Sequence, residues 1–244
     1  MSDHTPYFAG YDSEEYKLMK QAIPHMDEMH ARMGKIVAAY EPRLSSDPIT
    51  VLEIGCGDGL FTHTLFCVRN DIQLTAIDID SEAAALAKEN LQPWSQLRDY
   101  TIVHADIIEY IQTQAPNSLD LIVSIECLHN LLDSDRVRVL AKAFEILKPG
   151  GCFVNGDKYA QWGEVHQQAL AWELESYFDV CLPIAKHDFL KKWVLHTVSD
   201  EAPEKIMRET DAIAKMRNLG FVDTKIVYRR KLDAILVAYK PEDV

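Results

Sequence analysis

The sequence predicts a single α/β domain with a mostly parallel sheet and helices on both faces. Short apolar runs alternate with helix-like segments from about residue 50 to 153, which is typical of parallel strands joined by crossover helices. Three glycines at alternate positions, Gly55, Gly57 and Gly59, follow the first apolar run. A length of 244 residues is ordinary for one domain of this kind.

The other elements follow from the same patterns. Residues 1–46 carry apolar positions at helical spacing, and Pro24 divides them into two helices. The strand-and-helix core covers residues 47–158. Residues 159–200 are helical and aromatic, and this segment, too long for a connection, is predicted to be a helical cap inserted after the fifth strand. Residues 201–244 return to the core with a helix from about Pro203 to Asn218, which Gly220 ends, and with two final strands, 221–227 and 233–239.

The glycine loop predicts a bound nucleoside. Glycine allows the positive φ angles that bring a backbone close to a ligand. Glu53 precedes the loop, where it would repel a pyrophosphate, and Leu60 stands where a dinucleotide fingerprint has its third glycine. Asp78 ends the second strand and suits a ribose diol, while Asp80 or Ser81 suits the cap of the next helix. We therefore expect a nucleoside that is not anionic.

These motifs resemble the class I S-adenosylmethionine-dependent methyltransferases, whose first motif is an acidic residue followed by GxGxG and whose second strand ends in the ribose-binding acid. Asp106, which follows the third apolar run, stands where the family places an acid near the adenine amino group, although it could be only a helix cap. Residues 120–124 look like the fourth strand, and residues 147–151 resemble the turn before the fifth.

The resemblance implies a Rossmann-like class I methyltransferase sheet with an antiparallel last strand, and it implies S-adenosyl-L-methionine as the cofactor. It assigns ten residues to the cofactor site: Glu53, Gly55, Cys56, Gly57, Gly59, Asp78, Ile79, Asp106, Ile107 and Ser124.

Within this family the chain looks most like the branch of carboxy-S-adenosylmethionine synthase and related small-molecule methyltransferases. The likeness rests on residues 11–27 and 124–131. Many members carry two successive histidines in the second segment, where this chain has His129 followed by Asn130. His129 and Glu126 are the predicted catalytic residues, because a general base adds about 10²–10⁴-fold in rate. Alternatively, His129 is a core histidine and Glu126 a helix-terminal charge.

The cap and the N-terminal helices are expected to select the substrate. Ligands of open α/β sheets bind beyond the carboxyl ends of the strands, so insertions after strands four and five stand over that site. The residues predicted to bind substrate are Tyr11, Tyr16, His25, Asp157 and Trp162. Trp172 and Trp193 either line an apolar pocket or pack the cap against the core.

Composition narrows the partners. A formal charge of −13 makes a nucleic-acid partner unlikely, since phosphate binding needs gathered Lys and Arg. The five cysteines are scattered without a CxxC pair, so free thiols and no metal site are predicted. With neither an apolar run of about eighteen residues nor a secretory signal, we expect no membrane association and a cytoplasmic location. The sequence leaves open whether the protein forms a homodimer.

The sequence thus predicts methyl transfer to an O or N atom of a small molecule, by in-line displacement in a roofed pocket. A first alternative is a carboxy-S-adenosylmethionine synthase or other tRNA-modification enzyme. Such a synthase needs a cation for a second carboxylate, and residues 124–131 contain no Arg. A second alternative is a non-catalytic S-adenosylmethionine-binding protein.

Overall fold

The computed structural model describes residues 18, 21–23, 25–42 and 48–242. Its seven-stranded sheet has the order β3-β2-β1-β4-β5-β7-β6. The first five strands run parallel, and β7 lies antiparallel between β5 and β6. The predicted sheet with an antiparallel last strand is therefore confirmed. The strands are β1 Ile49–Ile54, β2 Ile72–Asp78, β3 Asp99–His104, β4 Leu119–Ile125, β5 Leu147–Lys158, β6 Val222–Arg230 and β7 Asp233–Tyr239.

Helices cover both faces of the sheet because alternate strand residues point to opposite sides. In β1, Val51 belongs to the apolar core under the first three helices, and Leu52 belongs to the core under α5 and α8. The helices are α1 Met26–Ala38, α2 Leu60–Val68, α3 Ser81–Leu91, α4 Ile107–Tyr110, α5 Asp133–Ile146, α6 Glu164–Cys181, α7 His187–Asp200 and α8 Glu209–Asn218.

The strand order reverses between β1 and β4, which creates a crevice at the carboxyl ends of these two strands. Ile54 of β1 pairs with Ser124 of β4. The glycine loop after β1 and the segment after β4 therefore begin side by side. The fold thus brings two predicted motifs, about seventy residues apart in sequence, to the same edge of the sheet.

Helices α6 and α7 form the cap over this edge. Tyr177 of α6 and Trp193 of α7 are buried together with Met26, at the start of α1, in a third apolar cluster. Their rings meet edge to face with centroids 4.7 Å apart. The cap is thus packed against the beginning of α1 as well as on itself.

Two local predictions differ from the structure. The helix expected from about Pro203 begins at Glu209, after a stretch of turns. The turn expected over residues 147–151 is the first part of β5: Leu147 pairs with Leu119, and the register shifts before Cys152 pairs with Leu121. Gly150, with a φ of 77°, lies in this irregular stretch. No helix in the described ranges combines the length and apolarity that crossing a membrane requires.

Candidate active site

A cavity of about 360 Å³ opens at the carboxyl ends of the parallel strands. Its first half, the cofactor half, is formed by the loops after β1, β2 and β3. Its second half, the acceptor half, lies under the cap. The cofactor half includes Gly55, Cys56, Gly57, Asp78, Ile79, Asp106 and Ile107, and the acceptor half includes Met26, His30, Glu126, His129, Asn130, Lys158, Tyr177, Trp193, His196 and Lys205.

The glycine loop is fixed from two sides. A Cβ atom on Gly55, whose φ is 73°, would lie 2.4 Å from the Cys127 sulfur, so only glycine fits there. From the other side, Asp78 accepts the Gly57 N–H at 2.8 Å and the Asp80 N–H at 2.9 Å. A carboxylate oxygen accepts more than one hydrogen bond, and Asp78 lines the cavity, so it can also meet a ribose hydroxyl. Burial raises the pKa of Asp78.

Asp80 and Asp106, two further acids near this half, act as helix caps. Asp80 accepts the N–H groups of Glu82 and Ala83 at the start of α3, as predicted. Asp106 accepts the Ile108 N–H at 2.7 Å and begins α4, yet it also lines the cavity. Asp106 is therefore both a helix cap and a residue of the cavity wall.

Three residues predicted for cofactor binding lie behind the wall. Glu53 is fully buried, where one oxygen accepts the Thr62 hydroxyl at 2.6 Å, and burial raises its pKa to about 8. Ser124 donates its hydroxyl to the Ile54 carbonyl at 3.1 Å. Gly59, with a φ of 83°, precedes α2 and packs on Leu91. Glu53 and Ser124 are buried within β1 and β4, and Gly59 is covered by Leu91 of α3, so these three residues support the loop from beneath.

In the acceptor half, Asp157 binds and orients His129. The His129 Nδ1 atom lies 2.5 Å from Asp157 Oδ1, and a carboxylate only accepts, so Nδ1 carries the hydrogen. The Lys158 N–H donates to the same oxygen, and three donors from Leu128, His129 and Asn155 reach the other. The lone pair is thereby on Nε2, which lies 3.9 Å from Asp200 Oδ2, and His129 lines the cavity.

Glu126 shares the wall with His129. Its φ of 47° is rare for a residue with a side chain and is held by the bond from its N–H to the Gly156 carbonyl. One carboxyl oxygen is buried and has no hydrogen-bond partner within the described part of the chain. Burial, followed by the charges of Asp233 and Asp157, raises the pKa of Glu126 well above its usual range.

Ion pairs join the cap to the end of β5. The Lys158 Nζ atom lies 2.7 Å from Glu173 of α6 and 3.8 Å from Asp200 of α7. Lys205 donates to Asp200 at 2.8 Å. Burial alone would lower the pKa of Lys158, but these carboxylates outweigh it and hold the pKa well above normal. Burial lowers the pKa of His196, beside Asp200, to about 3.

Sequence reasoning named Trp193 as a pocket residue in one of two alternatives but missed His30, Lys158, Tyr177, His196 and Lys205. One signal was available, since Lys158 directly follows the predicted residue Asp157 at the end of a strand. His30, Tyr177 and His196 come from helix faces that only tertiary packing turns inward, and Lys205 comes from the turns before α8.

The predicted substrate residues fare differently. Tyr11 and Tyr16 lie outside the described residues. His25 stacks on Trp172, with ring centroids 5.0 Å apart, and is absent from the cavity wall. Trp162 is 61% exposed, carries Arg208 on its ring and is absent from the cavity wall, so its role in substrate binding stays a prediction. Asp157 is fully buried behind His129, so it orients that ring instead of contacting substrate.

Two groups of side chains are close enough to share a cation. Ligand atoms of His129, His196 and Asp200 lie within 4.8 Å of one another, as do those of Glu126, His129 and Asp157. In the first group, the ammonium groups of Lys158 and Lys205 already lie against Asp200. We therefore interpret that group as part of an ion-pair network.

The comparisons with known proteins agree with this geometry. Residues 51–151 match the family described as "Methyltransferase domain". An uncharacterized methyltransferase of Bacillus cytotoxicus is 30% identical over 152 residues, which are 58% of this chain and 67% of that protein. A second, from Bacillus mycoides, is 28% identical over 150 residues, with 57% of this chain and 66% of the relative covered. The matches thus span about two thirds of these relatives.

Solved structures share the fold. The CurJ carbon methyltransferase superposes with a TM-score of 0.65 at 17% identity, covering 94% of this chain and 60% of its own. The N-methyltransferase NodS from Bradyrhizobium japonicum, in complex with S-adenosylhomocysteine, gives a TM-score of 0.58 at 18% identity, covering 95% and 100%. The [4+2]-cyclase SpnF gives 0.56 at 16% identity, covering 86% and 80%, so the fold alone does not determine the reaction.

The sheet order, the glycine loop and the acid ending β2 define a nucleoside-binding, Rossmann-like domain. The chain belongs to the class I S-adenosylmethionine-dependent methyltransferases, and S-adenosylmethionine is its cofactor.

Proposed function

We propose that this enzyme transfers the methyl group of S-adenosylmethionine to an O or N atom of a small molecule held under the cap. The observation that carries the proposal is the pair His129–Asp157 in a cavity that also contains Asp78. One cavity thus contains both Asp78, which is predicted to bind the ribose, and His129, whose lone pair is directed away from Asp157.

The cofactor half fits an adenosyl group. Asp78 offers carboxylate oxygens to the ribose, Ile79 and Ile107 offer apolar surface, and Asp106 lies near the predicted adenine edge. The bound cofactor supplies an electrophilic methyl group with a neutral thioether as leaving group.

The acceptor half has two tasks. It excludes water and orients the nucleophile, which can contribute up to roughly 7–11 kcal/mol. Its buried aromatic residues, Tyr177 and Trp193, serve the first task. His129 serves the second: its Nε2 atom accepts the proton of a hydroxyl or amine, and Asp157 holds the ring in the required tautomer.

A His129→Gln variant tests the base. We expect turnover to fall about 10²–10⁴-fold at neutral pH, while calorimetric affinity for S-adenosylhomocysteine changes less than about threefold. His187→Gln, at an exposed position on the cap, is the matched control and is expected to keep wild-type turnover. A fully active His129→Gln enzyme would show that the histidine is structural. Failure of the wild type to methylate any phenol, carboxylate or amine in a broad panel would favour a binding protein.

One observation also supports the synthase alternative. Lys158 and Lys205 bring to the acceptor half the cations that residues 124–131 lack, although both already have carboxylate partners. Mass spectrometry of the nucleoside that copurifies with the protein distinguishes the two functions. A carboxylated nucleoside would identify the synthase.

A further inference from the structure

The carboxyl groups around Glu126 outnumber the cations that could balance them. Five carboxyl groups lie behind and beside the acceptor half, and among the described residues the cations whose charges act on them are Lys158, Lys205, Arg136 and Arg229. Both lysines are engaged with the cap carboxylates. The carboxyl groups belong to Glu126, Asp157, Glu173, Asp200 and Asp233.

Of the five carboxyl groups, that of Glu126 lines the cavity. Its pKa is raised first by burial and then by Asp233 and Asp157, and Lys158 is the nearby cation that opposes this shift. A buried carboxyl oxygen without a hydrogen-bond partner is destabilising, so the site is incomplete until a donor arrives. Glu126 is partly exposed and lines the cavity, so a ligand can supply that donor.

We propose that the acceptor is a primary or secondary amine, bound as its ammonium ion between Glu126 and His129. This inference rests on the proposed function and selects the nitrogen acceptor within it. A carboxyl oxygen of Glu126 lies within 4.8 Å of a ring nitrogen of His129. A tetrahedral nitrogen with two hydrogen bonds of about 2.8 Å spans acceptors roughly 4.6 Å apart, so one ammonium group can reach two acceptors whose separation stays within this limit. A hydroxyl has one hydrogen and can serve only one of these acceptors.

The same geometry accounts for the chemistry. The ammonium ion passes one proton to His129 Nε2, which frees the nitrogen lone pair. That pair forms the N–C bond as the methyl C–S bond breaks and its electrons stay on sulfur. The products are a methylated ammonium ion, S-adenosylhomocysteine and protonated His129, which then loses its proton to solvent. Glu126 stays hydrogen-bonded to the nitrogen throughout and holds it in line.

Matched amine and alcohol probes test the inference. Calorimetry on the complex with S-adenosylhomocysteine would compare tyramine with tyrosol, 2-phenylethylamine with 2-phenylethanol, and putrescine with butane-1,4-diol. We expect at least one amine to bind tenfold or more tightly than its alcohol. Because Glu126 must ionise as the ammonium ion binds, amine binding is also expected to release a proton, measured as a dependence of the enthalpy on buffer ionisation.

The variant Glu126→Gln is expected to remove most of the amine preference. Glu175→Gln, an exposed position on α6 with the same change in charge, is expected to keep it. Equal binding of amines and alcohols, or methyl transfer from tritiated cofactor to alcohols alone, would overturn the inference and leave the proposed function intact. Transfer to no probe at all would count against both. Loss of binding after EDTA treatment, with recovery on adding Co²⁺, would instead assign the cluster to a metal ion and overturn the inference.

Discussion

Replacing Asp157 with Asn changes hydrogen-bond chemistry with almost no change in shape. Five donors converge on the two carboxylate oxygens: His129 Nδ1 and the Lys158 N–H on one, and the Leu128 N–H, the His129 N–H and the Asn155 amide on the other. An amide turns an NH₂ group toward one of these two sets. In either orientation at least one buried donor loses its acceptor, so we expect the free energy of unfolding to fall by about 1–3 kcal/mol.

The effect on activity should exceed the effect on stability. If the amide NH₂ faces His129, the ring must accept at Nδ1 and carry its hydrogen on Nε2, so it can no longer take a proton from the acceptor. In the other orientation, the turn that carries His129 loses its backbone bonds. Either way we expect methyl transfer to fall about 10²–10⁴-fold, while affinity for S-adenosylhomocysteine changes less than about threefold.

Two measurements check this prediction. Turnover is measured with tritiated S-adenosylmethionine and any acceptor that the wild type methylates. The ¹⁵N chemical shifts of His129 report its tautomer without an acceptor. Asp179→Asn, an exposed acid on α6, is the control for the lost charge. A wild-type ring with its hydrogen on Nε2, or an Asp157→Asn enzyme that keeps more than a third of its turnover, would refute the reasoning.

Three further predictions concern other parts of the chain. Asp78→Ala should weaken S-adenosylhomocysteine binding by about ten- to a hundredfold, as expected for lost charge-assisted bonds, and an unchanged calorimetric Kd would contradict the ribose assignment. Trp193→Ala should lower the free energy of unfolding by about 3–5 kcal/mol and Trp162→Ala by less than about 1 kcal/mol in urea titrations, because only the first ring is buried; equal losses would be inconsistent with the packing. Glu53 has a folded-state pKa of about 8 against an ordinary 4.5, so its contribution to stability is complete below pH 4.5 and is lost as the pH rises toward 8. In Glu53→Gln, which keeps an acceptor for Thr62, the free energy of unfolding should therefore fall by about 2–3 kcal/mol less between pH 5 and 7 than it does in the wild type. Free energies of unfolding with the same pH dependence in both proteins would exclude this.

The sequence predicts the cofactor half well because its residues lie next to strand ends. Strands are recognised by short apolar runs, and Asp78 follows directly from where β2 stops. The sequence does not distinguish the residues that line the cavity from those that lie behind its wall. Glu53 and Ser124 belong to neighbouring buried strands. Because both faces of such a strand are covered, the sequence pattern does not show which of its side chains point toward the cavity.

The acceptor half was predicted only in part, for a physical reason. His129 and Glu126 follow β4 directly, whereas Tyr177, Trp193 and His196 come from cap helices. Helical spacing places such residues on a face but does not say which structure that face meets. Trp162 illustrates the limit: it is large and aromatic, yet it precedes α6 and lies against Arg208 on the surface.

The adjacent residues Asp157 and Lys158 set a condition on how the acceptor preference of this fold can change. Asp157 fixes the tautomer of the base, and Lys158, the next residue along β5, reaches Glu173 and Asp200 of the cap. A cap grafted from a relative, or remodelled by evolution, must therefore bring its own carboxylates to this lysine. Without them, a buried unpaired cation costs about 3–5 kcal/mol, and it would lie one residue from the group that orients the base. A new cap can thus change the acceptor specificity only if it also provides carboxylates that pair with Lys158.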